Sequence, residues 1–206
     1  WTTNTITLKG KRIRFRGDWR NVSGDFRDLF NGTFAGGYNV TMSGGFDFEG
    51  APAIQMFDST FYNCSNLTGS IPSGLFGNIS GAPATSMFAG TFFGCSNLTG
   101  PIPSGLFGNL SGTPMPFMFF ATFLGCSNLT GSIPSGLFGN ISGEPAIYMF
   151  SNTFSGCSKL TGESALMPDG TTHLYEQFPT AGGTQCAGCY NGATGLNDYD
   201  DIPAEW

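Results

Sequence analysis

Phe61-Tyr-Asn-Cys64-Ser-Asn-Leu-Thr-Gly-Ser-Ile71-Pro-Ser-Gly-Leu-Phe-Gly-Asn78 is the stretch that decides how this chain is organised. Nearly the same string returns from Phe92 and again from Phe123, each time 31 residues on. Its cysteine returns as Cys64, Cys95, Cys126 and Cys157. A fixed period of about 20–50 residues marks stacked units, each burying its apolar side only against its neighbours. The expected fold is a solenoid. The period also argues against an enzyme, because near-copies carry much the same chemistry.

Each unit opens with Met-Phe-x-x-Thr-Phe-x-x-Cys, at Met56, Met87, Met118 and Met149. A degenerate copy precedes these, with Gly37 in the cysteine place 27 residues before Cys64. Another follows, with Ala193 in that place 36 residues after Cys157. The count is about six coils, with atypical outer ones as expected of capping units. Within a unit, Asn66–Ile71 alternates weakly and suits a short strand. Pro72-Ser-Gly and the stretch 77–83 carry turn residues. Met56 to Phe61 has i, i+1, i+4, i+5 apolar spacing, which predicts one or two helical or 3-10 turns. Together these describe a leucine-rich-repeat-like solenoid of ~31-residue coils, with short parallel strands and short helical turns. The expected organisation is an N-terminal β-hairpin cap over 1–28, the repeats over 29–196 and an acidic cap over 197–206.

Charged residues make up only 11% of the chain, against about 25% in ordinary soluble domains, while 21 phenylalanines supply a core. That balance fits a rigid extracellular structure better than a cytosolic enzyme. No run of about 18 apolar residues suggests membrane insertion. The chain starts at Trp1 without Met or a signal peptide, which reads as a trimmed precursor or a fragment.

The charges are segregated. Seven of eight basic residues fall in the first 27 positions, among them Lys9, Lys11, Arg12, Arg14, Arg16 and Arg20. The last 44 residues carry seven acids, including Asp198, Asp200, Asp201 and Glu205, and no Lys or Arg. A basic end and an acidic end favour head-to-tail self-association into an oligomer or filament. The alternative is that the charges simply keep the caps soluble. A nucleic-acid partner is not expected, since the chain is acidic overall and the basic stretch is short.

Several residues are candidates for particular roles. The cysteine ladder, Cys64, Cys95, Cys126 and Cys157, lacks the short spacings of a zinc site and reads as a column of buried thiols. Cys186 and Cys189 read as a local disulfide pinning the cap. Asn78, Asn109 and Asn140 are candidate glycosylation acceptors in repeated Asn-x-Ser turns. Asn66, Asn97 and Asn128 suit an asparagine ladder instead. His173 is the single histidine and reads as a cap residue, so no catalytic group, metal or cofactor is expected. Positions that vary between units should face outward. Tyr62, Phe93, Phe117, Phe120, Leu124 and Tyr148 occupy such places and form a candidate interaction face.

The unit Met-Phe-x-x-Thr-Phe-x-x-Cys-Ser-Asn-Leu-Thr-Gly-x-Ile-Pro-x-Gly-Leu-Phe resembles the BspA-like leucine-rich repeat of bacterial surface proteins. The likeness spans roughly 29–206 and is most specific in the four central units; the Leu-Thr-Gly-x-Ile-Pro piece also echoes plant-type leucine-rich repeats. It implies a secreted or cell-surface protein for adhesion or surface structure, without enzymatic activity. The alternative to head-to-tail assembly is a monomeric binding module that recognises a host protein or glycan through the variable face.

Overall fold

The computed structural model describes residues 51–206 in full, and the backbone alone of 13–15, 40–42 and 46–50. The strands are β1 (Ile13–Phe15), β2 (Val40–Met42), β3 (Phe46–Gly50), β4 (Leu67–Gly69), β5 (Asn78–Gly81), β6 (Asn109–Gly112), β7 (Gly131–Ser132), β8 (Asn140–Ile141) and β9 (Leu160–Thr161). Two one-turn helices follow, α1 (Leu174–Gln177) and α2 (Gly183–Cys186).

Equivalent segments of successive units pair side by side and in parallel. One row is the sheet β1-β3-β5-β6-β8, in register at Glu49↔Asn78, Ser80↔Asn109 and Ser111↔Asn140. A second row runs through β2–β4, the bridges Gly69↔Leu98 and Gly100↔Leu129, and β7–β9. The first of these rows corrects a sequence expectation. Residues 78–81 carry turn chemistry yet form a strand, with Ile79 buried. Pairing with the neighbouring copy outweighs local propensity there.

The third row is the Met-Phe-x-x-Thr-Phe-x-x-Cys segment, and it is not helical. Its N–H groups alternate between two kinds of acceptor. Thr60 and Cys64 donate back three residues, to Phe57 O and Phe61 O. Phe57, Ser59, Phe61 and Asn63 instead donate to Met87 O, Ala89 O, Thr91 O and Phe93 O of the next unit. Every fourth residue has positive φ: Gln55, Ser59 and Asn63, then Ser86, Gly90 and Gly94, then Phe117, Ala121 and Gly125. A helix requires negative φ throughout. The four-residue periodicity that mimics a helix is thus the period of a ribbon of linked turns.

Three columns of rings run between the rows. Phe57, Phe88, Phe119 and Phe150 stack at 5.3, 5.6 and 5.8 Å. Phe61, Phe92, Phe123, Phe154 and Tyr190 continue a second column at 5.4–5.6 Å. Phe76, Phe107 and Phe138 form the third. Tilted contacts such as Phe88–Phe107 at 4.5 Å lock the columns together. All these rings are at most 3% exposed.

The fifth described unit changes. Cys186 stands in the first ring column, and Phe178 and Trp206 fill the space against Phe150, each at 6.1 Å. The segment 197–206 also takes up the next row of donors: Tyr190 N–H bonds Trp206 O and Gly192 N–H bonds the Tyr199 hydroxyl. The edge of the turn row is thereby covered. Of the expected N-terminal hairpin only β1 is described; it pairs in parallel with β3, and its predicted partner strand lies outside the described residues.

Candidate functional site

The repeated polar residues are consumed inside the stack. Thr91 Oγ1 donates to Phe57 O at 2.9 Å, Thr122 Oγ1 to Phe88 O and Thr153 Oγ1 to Phe119 O, one unit back each time. Cys95, Cys126 and Cys157 direct Sγ to Phe61 O, Phe92 O and Phe123 O at 3.0–3.1 Å. Asn97 and Asn128 donate to Ser65 O and Ser96 O at 2.7 Å. The Thr and Cys columns give a second donor to carbonyls that already accept a turn N–H, and so tie each unit to the one before. All six cysteines are buried thiols, none joined in a disulfide. The expected Cys186–Cys189 bridge is therefore corrected: Cys186 Sγ points instead to Gly182 O and Glu205 O, and Cys189 sits in the threonine place.

Burial sets the thiols' chemistry. It pushes Cys126 well above its ordinary range, with the neighbouring Cys157 adding to it. Cys157 is lifted by burial to about 12. For Cys95 the hydrogen bond shared with Cys64 is the largest cause, and burial follows. Thiols held protonated are poor nucleophiles and poor metal ligands.

Not every variable place faces outward: Ala89 and Ser151, which hold the place of Phe120, are buried. Tyr62 stacks on Phe93 at 4.4 Å. Phe117 meets Phe120 at 5.8 Å and Tyr148 at 5.1 Å, so these three make one cluster. With Leu124, all six are half-buried, because the rings shield one another. Sequence reasoning missed Ile54 and Ile147, which hold the same place in their units and are 56% and 45% exposed. Ile147 adjoins Tyr148 and its carbonyl accepts Phe117 N–H. Phe117 and Tyr148 themselves have φ of 58° and 52°, a conformation that costs a non-glycine residue about 1 kcal/mol or more.

Asn78, Asn109 and Asn140 are exposed at the start of β5, β6 and β8, aligned along the strand row. Lys9, Lys11, Arg12, Arg16 and Arg20 lie outside the described residues, and of Arg14 only the backbone in β1 is described.

The acidic cap splits in two. Asp200, Asp201 and Glu205 are exposed, whereas Asp198 is 8% exposed and works inside. Its Oδ1 accepts Ser164 N–H at 2.8 Å, and its Oδ2 accepts the Ser164 hydroxyl at 2.6 Å. His173 Nδ1 lies 2.9 Å from Ser164 Oγ and 3.4 Å from Asp198 Oδ2. Asp198 is therefore corrected from a surface charge to a buried tie. No family model, curated protein or solved structure matches the chain. In a serine-nucleophile relay the imidazole stands between hydroxyl and carboxylate. Here the hydroxyl proton goes straight to Asp198, and Ser164 is 0% exposed. Glu163 adds a carboxylate beside them, a grouping that separations of 10 and 25 residues hide in the sequence.

Proposed function

We infer that this chain is a non-enzymatic repeat module of an extracellular or cell-surface protein, and that its repeats are consecutive coils of a solenoid related to the BspA-like surface repeats. It acts adhesively, binding a host protein or glycan through the outer side of its turn row. The observation that carries this reading is the fate of the repeated residues. Phe, Thr, Cys and Asn columns are spent on unit-to-unit rings and hydrogen bonds, which leaves the variable positions to recognise anything. Those positions gather Phe117, Phe120 and Tyr148 beside exposed Ile147. Two of the rings, Phe117 and Tyr148, take the positive-φ place that Gln55 and Ser86 hold in other units.

The filament reading keeps its support in the exposed Asp200, Asp201 and Glu205. It is weakened by segment 197–206, which covers the turn-row edge that a second copy would extend.

A triple variant, Phe117→Gly, Phe120→Ser and Tyr148→Gly, strips the aromatic cluster while glycine relaxes the positive φ. Wild type and variant, matched by melting curve, are applied to arrays of glycans and immobilised extracellular proteins. The reading predicts targets that wild type retains and the variant loses. Equal retention by both sinks it.

A further inference from the structure

Polar side chains converge at one place away from the turn row. We propose that Glu163, His173 and Asp198 form a binding site for one divalent cation of the zinc class, which clamps the loop after β9 to the segment that covers the core. Their donor atoms all lie within 4.8 Å of one another. They come from three separate stretches: Glu163 follows β9, His173 is the residue before α1, and Asp198 belongs to the tail. An imidazole with two carboxylates is a borderline N/O donor set that suits Zn²⁺, Co²⁺ or Mn²⁺. Ca²⁺ prefers six to eight oxygens, which these residues do not offer.

Outer partners already orient each ligand, as they do around metal sites generally. Asn197 Nδ2 donates to Glu163 Oε1 at 3.2 Å. Ser164 N–H fixes Asp198 Oδ1 at 2.8 Å. His173 donates its backbone N–H to Glu176 Oε2 at 2.7 Å, and its ring stacks on Tyr175 at 4.8 Å. Ser164 Oγ sits between His173 Nδ1 and Asp198 Oδ2, where its hydroxyl offers a lone pair as a fourth, neutral ligand while its proton stays on the hydrogen bond to Asp198. Among the described residues the one Lys or Arg side chain is Lys159, and its Nζ bonds Asn128 Oδ1.

The test is calorimetric titration of ZnCl₂ into the purified chain, with CaCl₂ in parallel and a thermal melt of each sample. The expected result is one Zn²⁺ per chain, a raised melting temperature and little response to Ca²⁺. Glu163→Gln changes an exposed side chain, so the metal-free melt should hold while Zn²⁺ affinity drops about tenfold or more. His173→Gln should abolish the site. Zinc binding that Glu163→Gln and His173→Gln leave unchanged would place the ion elsewhere and overturn the proposal. So would no binding up to about 1 mM, the range of a Kd too weak to clamp anything.

Discussion

Ser151 occupies the place that Ala89 holds two units earlier, and its hydroxyl is the one buried side-chain oxygen or nitrogen among the described residues left without a hydrogen-bond partner. An unmet buried hydroxyl costs about 1–3 kcal/mol. Ser151→Ala should therefore raise stability by about 1 kcal/mol, seen as a higher urea midpoint. Gly108 shows the opposite case. Its φ is +69°, and a Cβ there would strike the Ile79 carbonyl oxygen. Gly108→Ala should lose more than about 1 kcal/mol in the same assay. The thiols set an alkaline limit. Burial lifts Cys157 from 9.0 to about 12, so the folded chain holds that proton more tightly than the unfolded chain does. The contribution is complete below pH 9 and is lost as the pH rises from 9 towards 12. Stability should fall across that window by up to about 1.4 kcal/mol per pH unit for each such thiol. Cys157→Ala should flatten the fall when urea midpoints are measured at successive pH values.

At the scale of elements, the repeat period was legible because identical strings must occupy equivalent places. The secondary structure within a period was less so. Asn78–Gly81 reads as a turn and forms β5, because its pairing partner lies one unit away and no local rule sees it. The Met-Phe segment reads as helix because apolar residues recur every four positions. That recurrence comes from residues such as Ser59 and Asn63 taking positive φ, and nothing in their side chains announces it. The cluster at His173 was illegible for a third reason: it depends on how the loop after β9 folds back on the tail. The tail itself is an element with a measurable role. Trp206 is 6% exposed, packs on Phe150 and offers its carbonyl to Tyr190 N–H. Trp206→Ala should cost about 3–5 kcal/mol by emptying that space. Hydrogen exchange at the Tyr190 and Phe154 amides should quicken along with it.

Across the whole molecule, one set of residues builds and another is left to act. Ring columns and hydrogen-bonded Thr, Cys and Asn rows join the central units, so each unit's stability depends on its neighbours. The variable aromatic strip rides on that frame, and the covered edge at 197–206 removes a surface through which copies would add to one another. The proposed module is discrete and carries an outward-facing binding strip, so it should not polymerise. Light scattering with negative-stain microscopy, at about 20 mM and about 500 mM salt, tests it most directly, because end-to-end ion pairing weakens as the screening length shrinks. Short particles of monomer mass, 21.8 kDa, in both conditions are the predicted result. Filaments at low salt that shorten at high salt would contradict it and restore head-to-tail stacking of basic and acidic ends.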